Sequence, residues 1–139
     1  MSKRRVEDFL HEELTYKIRG ALFSVYNELG FGHKEIIYQR ALALEFGRLG
    51  IVYLREPKLK VMYAEQSVGI YSPDFIVEEK IILELKSLSF FPLNVDKQLV
   101  NYLKATGYNL ALVVNFGSKL DIRRRVWTKK SAQSNVESA

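Results

Sequence analysis

Two acidic residues and a lysine stand out in the middle of the chain, within the short segments Ser72–Asp74 and Glu84–Lys86. Carboxylate oxygens suit hard cations such as Mg²⁺, Mn²⁺ and Ca²⁺, which can activate water for the hydrolysis of a phosphodiester bond. The chain has no cysteine, which excludes thiolate metal sites, and its two histidines, His11 and His33, are too scattered to indicate a zinc centre. Any metal would therefore be held mainly by oxygen.

The residues between the two segments predict a β-hairpin with Glu78–Lys80 as its loop. Val77 would then pair with Ile81, and Asp74 would lie directly opposite Glu84. A two-residue loop would shift the pairing by one residue and separate the carboxylates onto opposite faces. The apolar pattern favours the three-residue loop, which gives an apolar face of Phe75, Val77, Ile81, Leu83 and Leu85 and a second face of Asp74, Ile76, Ile82, Glu84 and Lys86.

Like charges that face each other across a ladder are destabilising unless a cation, a shared proton or water compensates them. Alternatively, Glu84 and Lys86 are solvated residues of a half-exposed strand. The apolar run Ile81–Leu83 favours a strand that is buried on both faces, where a charge needs a specific reason to be present. The hairpin alone leaves both interpretations open.

Helices must flank this hairpin, because apolar residues recur at steps of three and four from Phe9 to Leu29 and again from about Glu35 to Leu49. A third helix is predicted from Asn94 or Asp96 to about Thr106. Extended segments are predicted at Ile51–Tyr63 (with an edge, a bulge or a break at Pro57), Val68–Val77, Ile81–Leu88, Tyr108–Phe116 and, as a short edge strand, Arg123–Trp127.

The predicted fold class is α/β, with the element order ααβββαβ and a mixed sheet flanked by helices. Three sequential strands should form an antiparallel meander, and a crossover helix should lead to one parallel strand. We expect one domain over residues 1–127 and a disordered tail over residues 128–139.

Composition is that of a soluble globular protein, with 139 residues, 47% hydrophobic and 27% charged. The net charge of +5 is compatible with a polyanionic partner but is modest. No apolar run approaches the roughly 20 residues of a membrane span, and the first residues lack the apolar run of a signal peptide. A cytoplasmic protein with no membrane partner is expected.

Four motifs resemble those of a known group of proteins. Gly32–Tyr38 resembles the GxxExxY signature of a small family within the PD-(D/E)XK nuclease superfamily. Pro73-Asp74 and Glu84-Leu85-Lys86 match the pattern of the superfamily itself, and Gln98–Tyr102 matches the QxxxY motif of its RecB-like branch. The resemblance covers roughly residues 10–127 and implies a restriction-endonuclease-like core.

The resemblance also implies an active site. Asp74, Glu84 and the carbonyl of Leu85 would bind Mg²⁺ or Mn²⁺, with Glu35 as a further ligand, direct or through water. Lys86 would orient or help to deprotonate the attacking water. The remaining two motif residues, Gln98 and Tyr102, would hold the site or the nucleic-acid backbone.

The activity implied is metal-dependent hydrolysis of nucleic acid, with DNA as the expected substrate. Phosphate contacts are expected from Lys104, Lys119, Arg123, Arg124 and Arg125. Two alternatives stay open: a nuclease-fold module that binds nucleic acid or protein without cutting it, and a structural protein whose acidic residues are satisfied by arginines. A homodimer is also expected, through the aromatic residues Phe90, Phe91 and Trp127.

Overall fold

The computed structural model describes residues 10–128, so residues 129–139 of the predicted tail lie outside the described part of the chain. Three helices follow one another as α1 (Glu12–Leu29), α2 (Glu35–Leu49) and α3 (Val95–Thr106). The strands are β1 (Tyr53–Arg55), β2 (Leu59–Tyr63), β3 (Gln66–Tyr71), β4 (Phe75–Val77), β5 (Ile81–Lys86), β6 (Leu110–Phe116) and β7 (Leu120–Val126).

Five strands form a mixed sheet in the order β1-β4-β5-β6-β7. β5 and β6 are parallel and are joined by α3, whereas the other neighbouring pairs are antiparallel. A crossover of a dozen residues or more is what a parallel pair requires, so α3 sets the direction of β6. The predicted mixed sheet with one parallel strand after a crossover helix is confirmed.

The sheet separates two apolar cores. The residues of the predicted apolar hairpin face pack with α1 and α2 in the first core, beside alternate residues of β6. Ile76 and Ile82, from the other hairpin face, pack with α3 and β2 in the second. Every residue of β6 is buried, as expected for a strand covered on both faces.

Two of the predicted strands are interrupted. Of the three features expected at Pro57, an edge, a bulge or a break, the structure has a break, since the segment Ile51–Tyr63 divides into β1 and β2. The segment Val68–Val77, predicted as one strand, divides at Ser72–Asp74 into β3 and β4, because Pro73 has no N–H to give to a ladder. β2 and β3 consequently leave the main sheet and pair with each other as a separate ribbon.

The predicted hairpin register is confirmed, because Val77 pairs with Ile81 and Phe75 with Leu83. The loop contains no glycine, yet Glu78 and Glu79 both adopt positive φ angles of 53° and 58°. The segment before β1 supports this unfavourable conformation: the N–H of Glu78 donates to the carbonyl of Val52, and the N–H of Val52 donates to the Glu78 carboxylate, both at 2.9 Å.

Two of the aromatic residues expected at a dimer interface belong to the monomer core. Phe91 and Trp127 pack against the second core, which leaves Phe90 as the exposed member of the three. The last strand is also longer than predicted, spanning seven residues at the edge of the sheet. Within residues 10–128, none of the helices has the length and apolarity needed to cross a membrane.

Candidate active site

Asp74 immediately precedes β4, and Glu84 lies within β5. Each is one residue beyond the last hairpin pair, Phe75 and Leu83. The backbone N–H of Asp74 donates to Oε1 of Glu84 at 3.1 Å, and the backbone N–H of Leu85 donates to Oδ2 of Asp74 at 2.7 Å. Each carboxylate therefore accepts a hydrogen bond from the opposite strand. These bonds fix the two carboxylates beside each other on the face that was predicted to carry them.

Burial makes the two charges unfavourable. The pKa of Glu84 is raised to about 7, first by loss of solvent around the carboxylate and then by the neighbouring charge of Asp74. Burial also raises the pKa of Asp74, although the hydrogen bonds from Leu85 and Gln39 and the charge of Lys86 oppose the shift. Lys86 has the same compensating effect on Glu84. The positive charge of Lys86 thus offsets only part of the free-energy cost of burying two negative carboxylates, and both pKa values stay raised.

A buried glutamine holds Asp74 from the side of α2. The side-chain amide of Gln39, whose exposure is only 2%, donates to Oδ1 of Asp74 at 2.9 Å and to Oε1 of Glu56 at 3.3 Å. Its own oxygen accepts from Nε of Arg55 at 2.8 Å. Sequence reasoning missed Gln39. The signal was available, because Gln39 falls on the apolar face of α2 between Tyr38 and Leu42, where a polar residue needs a partner.

A second residue missed from the sequence is Tyr71, at the end of the ribbon. Its ring stacks on that of Tyr102, with centroids 3.7 Å apart and planes 3° from parallel. Its hydroxyl is buried and lies within interaction range of the Glu84 carboxylate. Burial first, and then the charge of Glu84, raises the pKa of Tyr71, so the hydroxyl stays protonated and faces the acidic site. Tyr102 accordingly reaches this site through Tyr71.

Glu35 is the first residue of α2, as expected, and lies at the margin of the site. Its carboxylate is exposed, and its pKa is raised by partial burial and by the charge of Asp74. The loop before it is tied down twice: Ser87 Oγ donates to the carbonyl of His33 at 2.5 Å, and Tyr38 Oη donates to the carbonyl of Gly30 at 2.6 Å. The Ser87 bond holds the start of α2 close to the end of β5, and the Tyr38 bond holds α2 to the loop that precedes it.

The three carboxylates are neighbours rather than a closed cluster. In the part of the chain that the structure describes, no group of three or more acidic, histidine or cysteine side chains is arranged to hold a metal ion. The two side chains that lie beside each other at the hairpin, Asp74 and Glu84, nonetheless offer donors of one chemical type, namely carboxylate oxygens. Such a set of hard oxygens fits Mg²⁺ or Mn²⁺, with water filling the remaining positions.

The last two predicted site residues open onto a cavity beside the hairpin. Gln98 and Tyr102 lie one turn apart on α3 and line, together with Lys86, a cavity of about 640 Å³. Gln98 is exposed, and Tyr102 is half-buried against Tyr71. The structure therefore brings Lys86, Gln98 and Tyr102 to one opening, and Lys86 and Tyr102 connect it to the acidic pair, through the charge of Lys86 and through the stack of Tyr102 on Tyr71.

The predicted phosphate contacts are not one patch. Lys104 and Lys119 are exposed, at the end of α3 and in the turn before β7. The three arginines are half-buried and bind other parts of the chain: Arg123 contacts Asp121 at 3.2 Å, Arg124 donates to the carbonyl of Leu10 at 3.3 Å, and Arg125 contacts Asp96 at 2.7 Å. Because side chains alternate along β7, Arg124 lies on the opposite face from the other two.

Comparison with known proteins gives a family but no close relative. No curated protein matches the chain. A crystal structure of an alkaline exonuclease from Laribacter hongkongensis is similar with a TM-score of 0.49 and 11% sequence identity, over 99% of this chain and 77% of that one. A family model of the PD-(D/E)XK nuclease superfamily matches residues 12–126. That span contains the hairpin, Glu35 and α3, and the chain belongs to the PD-(D/E)XK nuclease superfamily.

Proposed function

We propose that this protein is a metal-dependent nuclease that hydrolyses phosphodiester bonds in nucleic acid, with DNA as its substrate. The observation that carries the proposal is the paired Asp74 and Glu84 carboxylates, held together by backbone hydrogen bonds in a setting that raises both pKa values. A fold that stabilises such a pair needs a compensating cation or proton. Superfamily membership makes a divalent cation the natural choice.

Each residue of the candidate active site has a separate role in this proposal. Asp74, Glu84 and the Leu85 carbonyl hold Mg²⁺ or Mn²⁺, and Glu35 contributes through water from the start of α2. The bound cation supplies an activated water and offsets the negative charge that develops at phosphorus. Lys86 orients the attacking water and stabilises the scissile phosphate.

The groups around the hairpin keep the acidic pair in place. Gln39 fixes the Asp74 carboxylate through its 2.9 Å hydrogen bond, which leaves the rest of that carboxylate available for a ligand. Tyr71, supported by its stack on Tyr102, presents a protonated hydroxyl toward Glu84. Gln98 lies at the mouth of the neighbouring cavity, where a substrate backbone would pass.

One observation favours a second candidate, a module that binds nucleic acid without cutting it. Within residues 10–128 the acidic side chains do not form a closed three-ligand cluster, and Glu35 is exposed. Against this candidate, Asp74, Glu84 and Lys86 are all present and share one face, which a protein that only binds phosphates does not require.

A cleavage assay separates the two candidates. Labelled single-stranded and duplex DNA are incubated with Mg²⁺ or Mn²⁺ and the wild type, Glu84→Ala or Lys86→Ala. We expect cleavage by the wild type that EDTA abolishes and that each variant lowers by at least about 100-fold, since each removes a group acting at the reacting phosphate. Gln66→Ala, at an exposed position in the ribbon, should cleave like the wild type.

The opposite pattern rejects the nuclease. If the wild type cleaves none of the substrates while binding DNA in a salt-sensitive way that ignores the metal, the protein is the binding module. If cleavage survives in both variants, the activity belongs to another site or to a contaminant.

A further inference from the structure

The loop between β5 and α3 leaves the hairpin directly after Lys86 and carries two unusually exposed apolar side chains. Phe90 is 84% exposed and Leu93 is 91% exposed. Phe91, which lies between them, is anchored, because the guanidinium of Arg123 lies 3.6 Å from the centroid of its ring. The loop is therefore fixed on β7 while one aromatic ring and one leucine face the solvent.

The exposed face of α3 continues from this loop. Val95, Leu99 and Leu103 are buried against the sheet, and the opposite face presents polar residues at steps of three and four: Asn94, Lys97, Gln98, Asn101 and Lys104. This face carries two lysines and no acid. The one acidic residue of the helix, Asp96, contacts Arg125 instead. α3 thus offers a stripe of hydrogen-bond donors and positive charge.

The stripe, the loop and the candidate active site share one opening. The cavity of about 640 Å³ is lined by Lys86 from β5, by Leu93 from the loop and by Lys97 and Asn101 from α3. Its volume falls within the range of roughly 300–1,000 Å³ that is usual for small-molecule sites, so it can take about one nucleotide unit. Positive and amide groups surround it on the α3 side.

From this juxtaposition we propose that the loop and α3 bind single-stranded polynucleotide, with an unpaired base against Phe90 or Leu93 and adjacent phosphates along Lys97 and Lys104. The inference rests on the proposed function, whose substrate it specifies. Bases offer their faces to a protruding aromatic ring only when they are not stacked within a duplex. Lys97 and Lys104 are seven residues apart, about 10 Å along the helix, a distance suited to phosphates of one extended strand.

The test measures binding separately from cleavage. All proteins carry Glu84→Gln, which removes one negative charge from the site. They are studied in EDTA, which prevents metal-dependent hydrolysis. Fluorescence anisotropy is recorded with labelled 15-nucleotide oligo-dU, oligo-U and a duplex of equal length over a series of salt concentrations. We expect both single strands to bind more tightly than the duplex, and the tighter of them identifies the preferred sugar.

Substitutions in the loop and helix should have different effects. Phe90→Ala should weaken single-strand binding by about 5- to 100-fold, the range of one lost base stack. Phe90→Trp keeps an aromatic ring at this position and should bind single strands as tightly as the background protein does. Lys97→Ala should lower the slope of log affinity against log salt by about 0.7, as expected for one lost phosphate contact on a single strand. Neither side chain is buried, so the thermal unfolding of the variants should match that of the background protein.

Matched controls come from α1, on the other face of the sheet. Tyr16 is 79% exposed and the Lys17 side chain is 58% exposed, so Tyr16→Ala and Lys17→Ala each remove an exposed aromatic ring or an exposed lysine away from the loop. The inference is overturned if the duplex binds as tightly as the single strands, or if Phe90→Ala changes affinity no more than Tyr16→Ala does. Single-strand binding without any cleavage by the wild-type protein would reject the proposed function and leave this inference standing.

Discussion

At the scale of single residues, the buried Glu84 carboxylate is the group whose protonation the fold changes most clearly. Its pKa of about 7 lies above the ordinary value of 4.5 because of burial and of the adjacent Asp74. A carboxylate with a raised pKa binds its proton more tightly in the folded state than in the unfolded chain. Its stabilising contribution is complete below about pH 4.5 and is lost as the pH rises through about 7.

We therefore expect the metal-free protein to lose stability between about pH 5 and pH 8, by up to roughly 3 kcal/mol from Glu84. Urea unfolding in EDTA measures this, with Glu84→Gln as the matched variant that cannot titrate at this position. The difference in unfolding free energy between the variant and the wild type should grow in favour of the variant as the pH rises. A difference that is constant across this range contradicts the raised pKa.

Gln39 gives a second prediction at this scale, since it is the buried link between Asp74, Glu56 and Arg55. Gln39→Ala should lower the unfolding free energy by about 1–3 kcal/mol, because it leaves buried polar groups without their partner. It should also weaken Mn²⁺ binding, measured by calorimetry, because Asp74 loses its fixed orientation. Gln39→Glu should restore neither property, since it places a third carboxylate beside Asp74 and Glu56.

The exposed Gln66→Ala serves as the control for these substitutions and should change neither stability nor metal affinity. If Gln39→Ala lowers stability while Mn²⁺ affinity stays at the wild-type value, Gln39 supports the fold but does not position Asp74.

At the scale of elements, two tyrosines pack against the same phenylalanine, and one of them also holds the loop at the beginning of α2. Tyr38 stacks on Phe116 at a centroid distance of 4.1 Å, and Tyr26 of α1 contacts the same ring at 6.3 Å. Each hydroxyl donates to a carbonyl, Tyr38 to Gly30 at 2.6 Å and Tyr26 to Gly117 at 2.7 Å. Only the Tyr38 bond fixes the loop that leads into Glu35.

Tyr38→Phe and Tyr26→Phe form a matched pair for this reason. Tyr26→Phe should cost about 1 kcal/mol of unfolding free energy, the usual net value of one hydrogen bond, while ring packing is kept. Tyr38→Phe should cost more, because its hydroxyl also accepts from the N–H of His33 at 3.3 Å. Tyr38→Phe alone should also reduce cleavage, because the loop that leads into Glu35 is no longer held as firmly. Equal cleavage by the two variants would show that the loop before α2 does not serve the site.

The order and type of these elements could be predicted from the sequence because periodicity and glycine breaks are local signals. The hairpin register was also predictable, since only one pairing places Phe75, Val77 and Leu83 together on an apolar face. The ribbon was not, because the separation of β3 from β4 depends on Pro73 and on packing of β2 against α3. A local sequence pattern carries no information about packing between residues that are far apart in the chain.

The candidate site shows the same limit. Asp74, Glu84 and Lys86 were predictable because alternation along one strand decides which side chains share a face. Tyr71 was not, because its place beside Glu84 depends on a stack with Tyr102, about 30 residues away in the chain. The arginines of β7 were expected to contact phosphate, and their partners within the chain, Asp121, Leu10 and Asp96, come from three separate segments that a local pattern does not connect.

At the scale of the whole molecule, the two faces of the sheet have different roles. The face beneath α1 and α2 holds the larger core, and the face beneath α3 and the ribbon holds the second core and the cavity. The hairpin carboxylates contact both sides, because Asp74 accepts from Gln39 of α2 and Glu84 interacts with Tyr71 of the ribbon. The positive charge exposed near the cavity comes from α3 rather than from the arginines of β7. A substrate strand that follows α3 would therefore pass directly over the end of β5.

The proposal that Asp74 and Glu84 share a catalytic cation is tested most directly by diffraction from crystals grown with Mn²⁺, measured for its anomalous signal. The predicted result is one Mn²⁺ peak bound by both carboxylates and the Leu85 carbonyl, absent from crystals of Asp74→Asn grown in the same way. A Mn²⁺ peak elsewhere, or none at this hairpin at a Mn²⁺ concentration that supports cleavage, would contradict it.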